Sequence, residues 1–80
     1  MTENTTLGWA LWNTETHDWE RGLFGQGMLI WIMKDWPFHI ASRRKHLRLR
    51  SGSVNLDMIR KVSKGATSPY VLTDSAGWKS

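Results

Sequence analysis

No cysteine occurs among the 80 residues. That absence removes disulfide staples and every thiolate metal site, and it suits a reducing cytoplasm. Long apolar runs are missing too: the longest, residues 28–33, has six members, against the roughly 20 that a helix needs to cross a bilayer. The opening Met-Thr-Glu-Asn-Thr-Thr contains an acid and no base, unlike the basic start and apolar stretch of a secretory leader. Residues 1–6 are therefore expected to form a loose tail. Neither Gly-x-Ser-x-Gly nor either phosphate-cradling glycine pattern appears, so Gly22, Gly25 and Gly27 read as turn and packing residues. Glu15, His17 and Asp18 lie within four residues, but their spacing matches no established ligand pattern. His39 and His46 have no carboxylate nearby in sequence to orient their rings. The chain is expected to hold no metal or other cofactor and not to be an enzyme.

What is present is bulk. A chain this short buries a modest fraction of its surface, and its six tryptophans, Trp9, Trp12, Trp19, Trp31, Trp36 and Trp78, are the natural substitute for staples. Each removes about 150–250 Å² from water when buried. The charge is uneven. Residues 1–40 hold two bases against five acids, −3, whereas residues 41–80 hold nine bases against two acids, +7, for a net +4. If the halves occupy separate sides, the two faces differ in potential and steer charged partners differently.

One domain over residues 1–80 is expected. Leu7, Trp9 and Leu11 alternate with Gly8, Ala10 and Trp12 as in a strand covered on both sides. The polar stretch 13–18 and the renewed apolar sequence 19–24 predict a hairpin. Residues 25–27 break the chain, and 28–33 read as a buried strand. Lys34-Asp35 reads as a turn. Pro37 limits 36–40 to an edge strand or an extended connector, with the edge strand favoured; residues 41–50 fit either a helix over 43–50 capped by Ser42 or a strand, and the alternation at 46–50 favours the strand. Residues 51–53 read as a turn. Leu56, Ile59 and Val62 then suggest a helix over 55–64, capped by Asn55 and closed by Gly65. Residues 66–69 form a loop, 70–73 a last strand and 74–80 a polar tail. The sum is an α+β domain, a small antiparallel sheet of short strands with one helix packed on it. The sheet face that the helix leaves free is expected to carry exposed aromatics and to bind.

Two surfaces are candidates. Glu15, Asp18 and Glu20, with Asp35 and the rings of Trp19 and Trp36, suit a basic protein partner, because rings anchor interfaces and charge orients them. Arg43, Arg44, Lys45, Arg48 and Arg50 form the densest basic cluster and suit nucleic acid through phosphate contacts. Most of the tryptophans fall at core-like alternating positions, so they read as structural before they read as base-stacking platforms.

Several features together resemble phage-encoded anti-CRISPR proteins, above all type I-C inhibitors. They are the short cysteine-free chain, the hairpin Trp9-Ala-Leu-Trp-Asn-Thr-Glu-Thr-His-Asp-Trp19, the basic stretch 43–50 and the ending Tyr70-Val-Leu-Thr-Asp74. No diagnostic motif underlies the likeness, so no residue role transfers from it. The resemblance implies a stoichiometric inhibitor of an RNA-guided surveillance complex, Cascade, bound at its backbone or DNA-recognition subunits in the host cytoplasm and blocking target DNA. Many such inhibitors are acidic DNA mimics. A chain at +4 departs from that pattern and leaves a local acidic patch or a mixed interface.

Overall fold

A computed structural model of the protein describes residues 4–22, 27–65 and 68–79. In chain order the elements are β1 (Thr5–Asn13), β2 (Asp18–Trp19), β3 (Met28–Ile30), α1 (Asp35–Arg43), β4 (Leu47–Asn55), a 3-10 turn (Leu56–Met58), β5 (Ile59–Lys61), β6 (Tyr70–Leu72), a second 3-10 turn (Ser75–Gly77) and β7 (Trp78–Lys79). They form two antiparallel sheets, ordered β2-β1-β4-β7 and β3-β6-β5. The class is α+β.

The long β1–β4 ladder fixes the rest. Thr5 pairs with Asn55 and Asn13 with Leu47, with no slip between, so even-numbered residues of both strands share one face and odd-numbered residues the other. On the even face Ala10 and Val54 are fully buried against Met28, Ile30 and Leu72 of the second sheet. On the odd face Leu11 and Leu47 bury with Trp31, and Ile40 and Ala41 of α1 pack against them. The sheet thus lies between a helix and a second sheet. The two sheets are stitched at an edge, where Trp9 and Trp31 exchange both backbone bonds at 2.7 and 2.8 Å and Leu29 N–H donates to the Glu20 carbonyl at 3.0 Å.

A pair of glycines makes this sandwich possible. Gly8 and Gly52 face each other across the ladder on the crowded even side. A methyl group at Gly52 would stand 2.6 Å from Trp78 Cζ2, and one at Gly8 would stand 2.5 Å from Val54 Cγ2. Glycine is needed here for close approach of neighbouring groups, as is common where glycine interrupts a strand.

Several sequence expectations change. The helix lies at Asp35–Arg43 and not at 55–64. Pro37, read as an edge-strand marker, sits in the first turn of α1, where its missing N–H has no intrahelical partner to lose. Lys34 is the residue before that helix and not half of a free turn. Of the strand expected within 41–50, Ala41 to Arg43 belong to the helix, and β4 starts only at Leu47.

The supposed turn 51–53 is the middle of β4, because nine consecutive pairs to β1 outweigh the local turn preference of Ser-Gly-Ser. The stripe of Leu56, Ile59 and Val62 is split up: Leu56 lies in a single 3-10 turn, Ile59 in β5, which pairs with β6, and Val62 just beyond that strand. Thr5 and Thr6 belong to β1 and not to a tail. Of the tail expected at 74–80, residues 74–79 form a 3-10 turn and β7, with Asp74 accepting the Ala76 N–H at 3.0 Å and Trp78 pairing with Val54; Ser80 lies outside the described residues.

The buried strand read over 28–33 is shorter, with β3 at Met28–Ile30 and Trp31 continuing it as a bridge. The hairpin stands, with Trp12 opposite Trp19, although its second arm is two residues long; residues 23 and 24 of the predicted arm, and 25 and 26 of the predicted break, lie outside the described residues. The sheet face expected to be free is covered by the second sheet. Among the described residues no helix is long and apolar enough to cross a membrane.

Candidate binding surfaces

The predicted protein-binding residues fall in two places. Glu15, Asp18, Trp19 and Glu20 sit on the β1–β2 hairpin, whereas Asp35 and Trp36 open α1 on the other side of the sheet. At the hairpin, the Asn13 side-chain oxygen accepts the N–H groups of Glu15 at 2.9 Å and Thr16 at 3.1 Å, an Asx turn that lets the chain reverse. His17 takes a positive φ of 55° to complete it.

The acids there are unequally committed. Glu20 accepts the Asn13 amide at 2.9 Å. Asp18 accepts the Trp19 N–H at 2.7 Å and the Arg21 guanidinium at 3.2 Å. The Arg21 side chain, and then that backbone N–H, hold the Asp18 carboxyl below the ordinary aspartate range, since both stabilise the charged form. Glu15 is exposed and pairs with no base. Among the described residues, Glu15, His17 and Asp18 belong to no group of three ligating side chains close enough to share a metal ion.

Trp19 is half-buried, and its ring is edge-on to Trp12 at 5.0 Å and to Trp78 at 5.6 Å. Edge-to-face pairs add roughly 0.5–1.5 kcal/mol beyond area burial, so this ring closes the open end of the even-face core. Trp36 is different. It is 46% exposed and stacks on His39 one helical turn away, at 5.6 Å and 30° between planes.

The five basic candidates run from the end of α1 into β4, with Arg48 and Arg50 on the even face, opposite the helix. Arg43 ends α1, Arg44 follows it, Lys45 lies in the turn to β4, and Arg48 and Arg50 project from one face of that strand. Arg48 donates to the Lys45 carbonyl at 2.6 Å and the Leu47 carbonyl at 3.1 Å, which ties the turn to the strand. All five are exposed. Among the described residues the only ion pair is Arg21 with Asp18, so none of the described carboxylates lies within 4.0 Å of these bases. The two charged regions also meet. Thr14 donates from its N–H and its hydroxyl to the His46 carbonyl, at 2.8 and 3.1 Å, so the turn bearing Glu15 adjoins the turn bearing Lys45. The charge split read along the sequence becomes a mixed surface at one end of the sheet.

Of the exposed surface at α1 and just before it, the sequence reading named only Asp35 and Trp36. Met33 is 60%, Trp36 46% and Phe38 55% exposed, with Lys34 Nζ 5.7 Å from the Phe38 ring centre. The signal was available: Pro37, Ile40 and Ala41 are spaced as an inward helical stripe, which leaves 36, 38, 39 and 43 outside. Beside this face lies a groove of about 340 Å³, walled by Trp31, Ile32, Met33, Trp36, Lys61 and Tyr70, with Asp35 and Ser68 at its edges.

No protein-family model matches the chain, and no curated protein or solved structure matches it.

Proposed function

We propose that this protein is a stoichiometric inhibitor that binds a type I CRISPR–Cas surveillance complex, Cascade, and blocks target DNA binding without turnover, in the host cytoplasm. One observation carries the binding part of this reading: among the described residues, three of the five exposed large apolar side chains sit within six residues, at Met33, Trp36 and Phe38. Burying such rings against a partner supplies most of an interface's energy, and clustered exposed apolar groups on a small domain mark contact surfaces. The identity of the partner rests on the sequence resemblance alone.

The interface includes Asp35 and Trp36 of the predicted set, with the acids of the hairpin as a second contact. Such a complex holds nucleic acid in a basic channel. Glu15 and Asp35, which pair with no base, are the acids best able to take the place of phosphates there, while Asp18 and Glu20 shape the hairpin. The test is co-purification with a tagged surveillance complex, followed by a target-DNA capture assay. Wild type should reduce capture to a floor at a fixed molar ratio. The combined variant Glu15→Lys with Trp36→Ala should restore it; unchanged inhibition rejects this interface.

A second reading is favoured by a separate observation: Arg43, Arg44, Lys45, Arg48 and Arg50, from the end of α1 into β4, are all exposed, and none is in an ion pair among the described residues. Such a run of bases suits a nucleic-acid module that contacts phosphates. Free single-stranded DNA separates the readings, since an inhibitor of the complex need not bind it.

A further inference from the structure

We infer that the open end of the even face, where Trp12 of β1 stands across from Arg48 and diagonal to Arg50 of β4, is a platform for single-stranded nucleic acid. The inference rests on the nucleic-acid reading above and narrows it: this face takes the strand, and it holds unpaired bases as well as phosphates. The cover that the second sheet gives the even face fades along β4. Val54 is buried, Gly52 is half-buried, and Arg50 and Arg48 are exposed. On β1 the same face runs from buried Ala10 to half-buried Trp12. Residues directly opposite in a ladder have Cβ atoms about 4.5–5.5 Å apart, and diagonal neighbours stand about 7–8 Å away. The pairs Trp12–Arg48 and Ala10–Arg50 therefore set two arginines beside one indole.

Charge, ring and the lack of an aliphatic anchor together select the occupant. Arg48 donates from one terminal nitrogen to the Lys45 and Leu47 carbonyls, and Arg50 from one to the Leu49 carbonyl. These bonds steady both side chains and leave the remaining N–H donors of each guanidinium for an anion. None of the described carboxylates lies within 4.0 Å of either. Of the hairpin acids, Glu20 is held by Asn13 on the odd face and Asp18 by Arg21; Glu15 in the turn remains free. Trp19 and Trp78 pack against the buried core, whereas Trp12 is in neither core cluster. Its edge-to-face contact with Trp19 at 5.0 Å takes at most one of its two faces from a base. None of the exposed large apolar side chains among the described residues, Leu7, Met33, Trp36, Phe38 and Val62, lies at this end of the even face. An acidic protein segment thus finds no apolar anchor here, while an unpaired base needs only a ring and a neighbouring cation. A duplex fits less well, because its bases are already stacked and paired.

The test uses the full chain and a fluorescent oligothymidylate of about 12 nucleotides, inside the span of about 4–16 that one small binding fold covers. Wild type should bind saturably, with quenched tryptophan emission and a shifted Trp12 indole resonance. Arg48→Gln with Arg50→Gln, both at exposed positions, should weaken binding about tenfold and lower the slope of log affinity against log salt by about 1.4, from about 0.7 per phosphate released. Trp12→Leu should weaken binding about fivefold or more at an unchanged slope, the loss of one stacked base, and Trp12→Phe, which keeps a ring, should restore most of it. If Trp12→Leu fails to fold by circular dichroism, the wild-type indole shift decides: a Trp12 resonance that does not move on saturation rejects the platform. Binding lost only in Arg43→Gln with Arg44→Gln, with the Arg48 and Arg50 pair unaffected, would overturn this placement and leave the nucleic-acid reading standing. No binding at all would end both. Inorganic polyphosphate, a duplex or an oligoaspartate binding as tightly as the oligothymidylate would also overturn it, since none of the three offers an unpaired base.

Discussion

Replacing Gly52 by alanine separates the strand seen in the fold from the turn that Ser51-Gly52-Ser53 suggests. The added methyl group would stand 2.6 and 2.8 Å from two carbons of the Trp78 ring and 2.7 Å from the Lys79 carbonyl oxygen. The ring can tilt, but the carbonyl belongs to β7, which is held to β4 by the Ser53–Lys79 and Val54–Trp78 pairs. Overpacking of this kind costs about 1–3 kcal/mol. Alanine recovers part of the backbone entropy that glycine loses in a strand, about 0.5–1 kcal/mol, so the expected net loss is about 1–2 kcal/mol. For a domain of this size that lowers Tm by roughly 4–16 °C. Thermal unfolding followed by far-ultraviolet circular dichroism measures it, with tryptophan emission reporting on Trp78. Ser51→Ala, one residue away and exposed, serves as the control and should shift Tm by no more than about 2 °C. A Gly52→Ala protein that melts with or above wild type, with unchanged emission, would refute the packing of Trp78 over β4.

Asn55 caps the 3-10 turn by accepting the Asp57 N–H at 2.9 Å; Asn55→Ala should cost about 0.5–1 kcal/mol in a urea titration, the lower part of the range for lost caps. The Asp18 carboxyl should titrate below 3.8 by ¹³C resonance and return toward that value in Arg21→Gln. Because the folded-state pKa is depressed, the stabilisation is present above the ordinary aspartate value and is lost as pH falls through the folded midpoint. Wild type and Arg21→Gln should therefore differ in stability at neutral pH and converge in acid. If the basic stretch binds single-stranded DNA, log affinity should fall linearly with log salt, by about 0.7 per phosphate neutralised. Changing Arg43, Arg44 and Lys45 to glutamate should then flatten that slope, and an unchanged slope would remove these three from any such contact.

The hairpin was legible because its signals are local: turn formers from Asn13 to Asp18 lie between rings at Trp12 and Trp19, which pair across it. Asn55 was legible as a cap, yet it caps one turn and not three, and Gly65 closes no helix. The stripe at Leu56, Ile59 and Val62 imitates a helix, but Ile59–Lys61 gains more from pairing with β6, a non-local choice that no window around residue 60 contains. The real helix was hidden by Pro37, whose two permitted settings, edge strand and first helical turn, look alike without the inward stripe of Ile40 and Ala41. At the sites, residue type was readable and commitment was not. Asp18 and Trp19 look like interface residues in sequence, but Arg21 occupies the one and Trp12 with Trp78 the other. Trp36 stays open to solvent because the core on that side is filled by Trp31.

The most direct measurement is a titration of target-DNA capture by the surveillance complex with wild type and with the double variant Trp36→Ala, Phe38→Ala. Both residues are about half exposed, Trp36 at 46% and Phe38 at 55%, so the variant should fold, with circular dichroism as the check. Wild type should abolish capture with a sharp break at a fixed molar ratio, and the double variant should lose at least tenfold in potency. Inhibition far below one equivalent, no inhibition by wild type, or equal potency of the two proteins would contradict a covering protein that grips through α1.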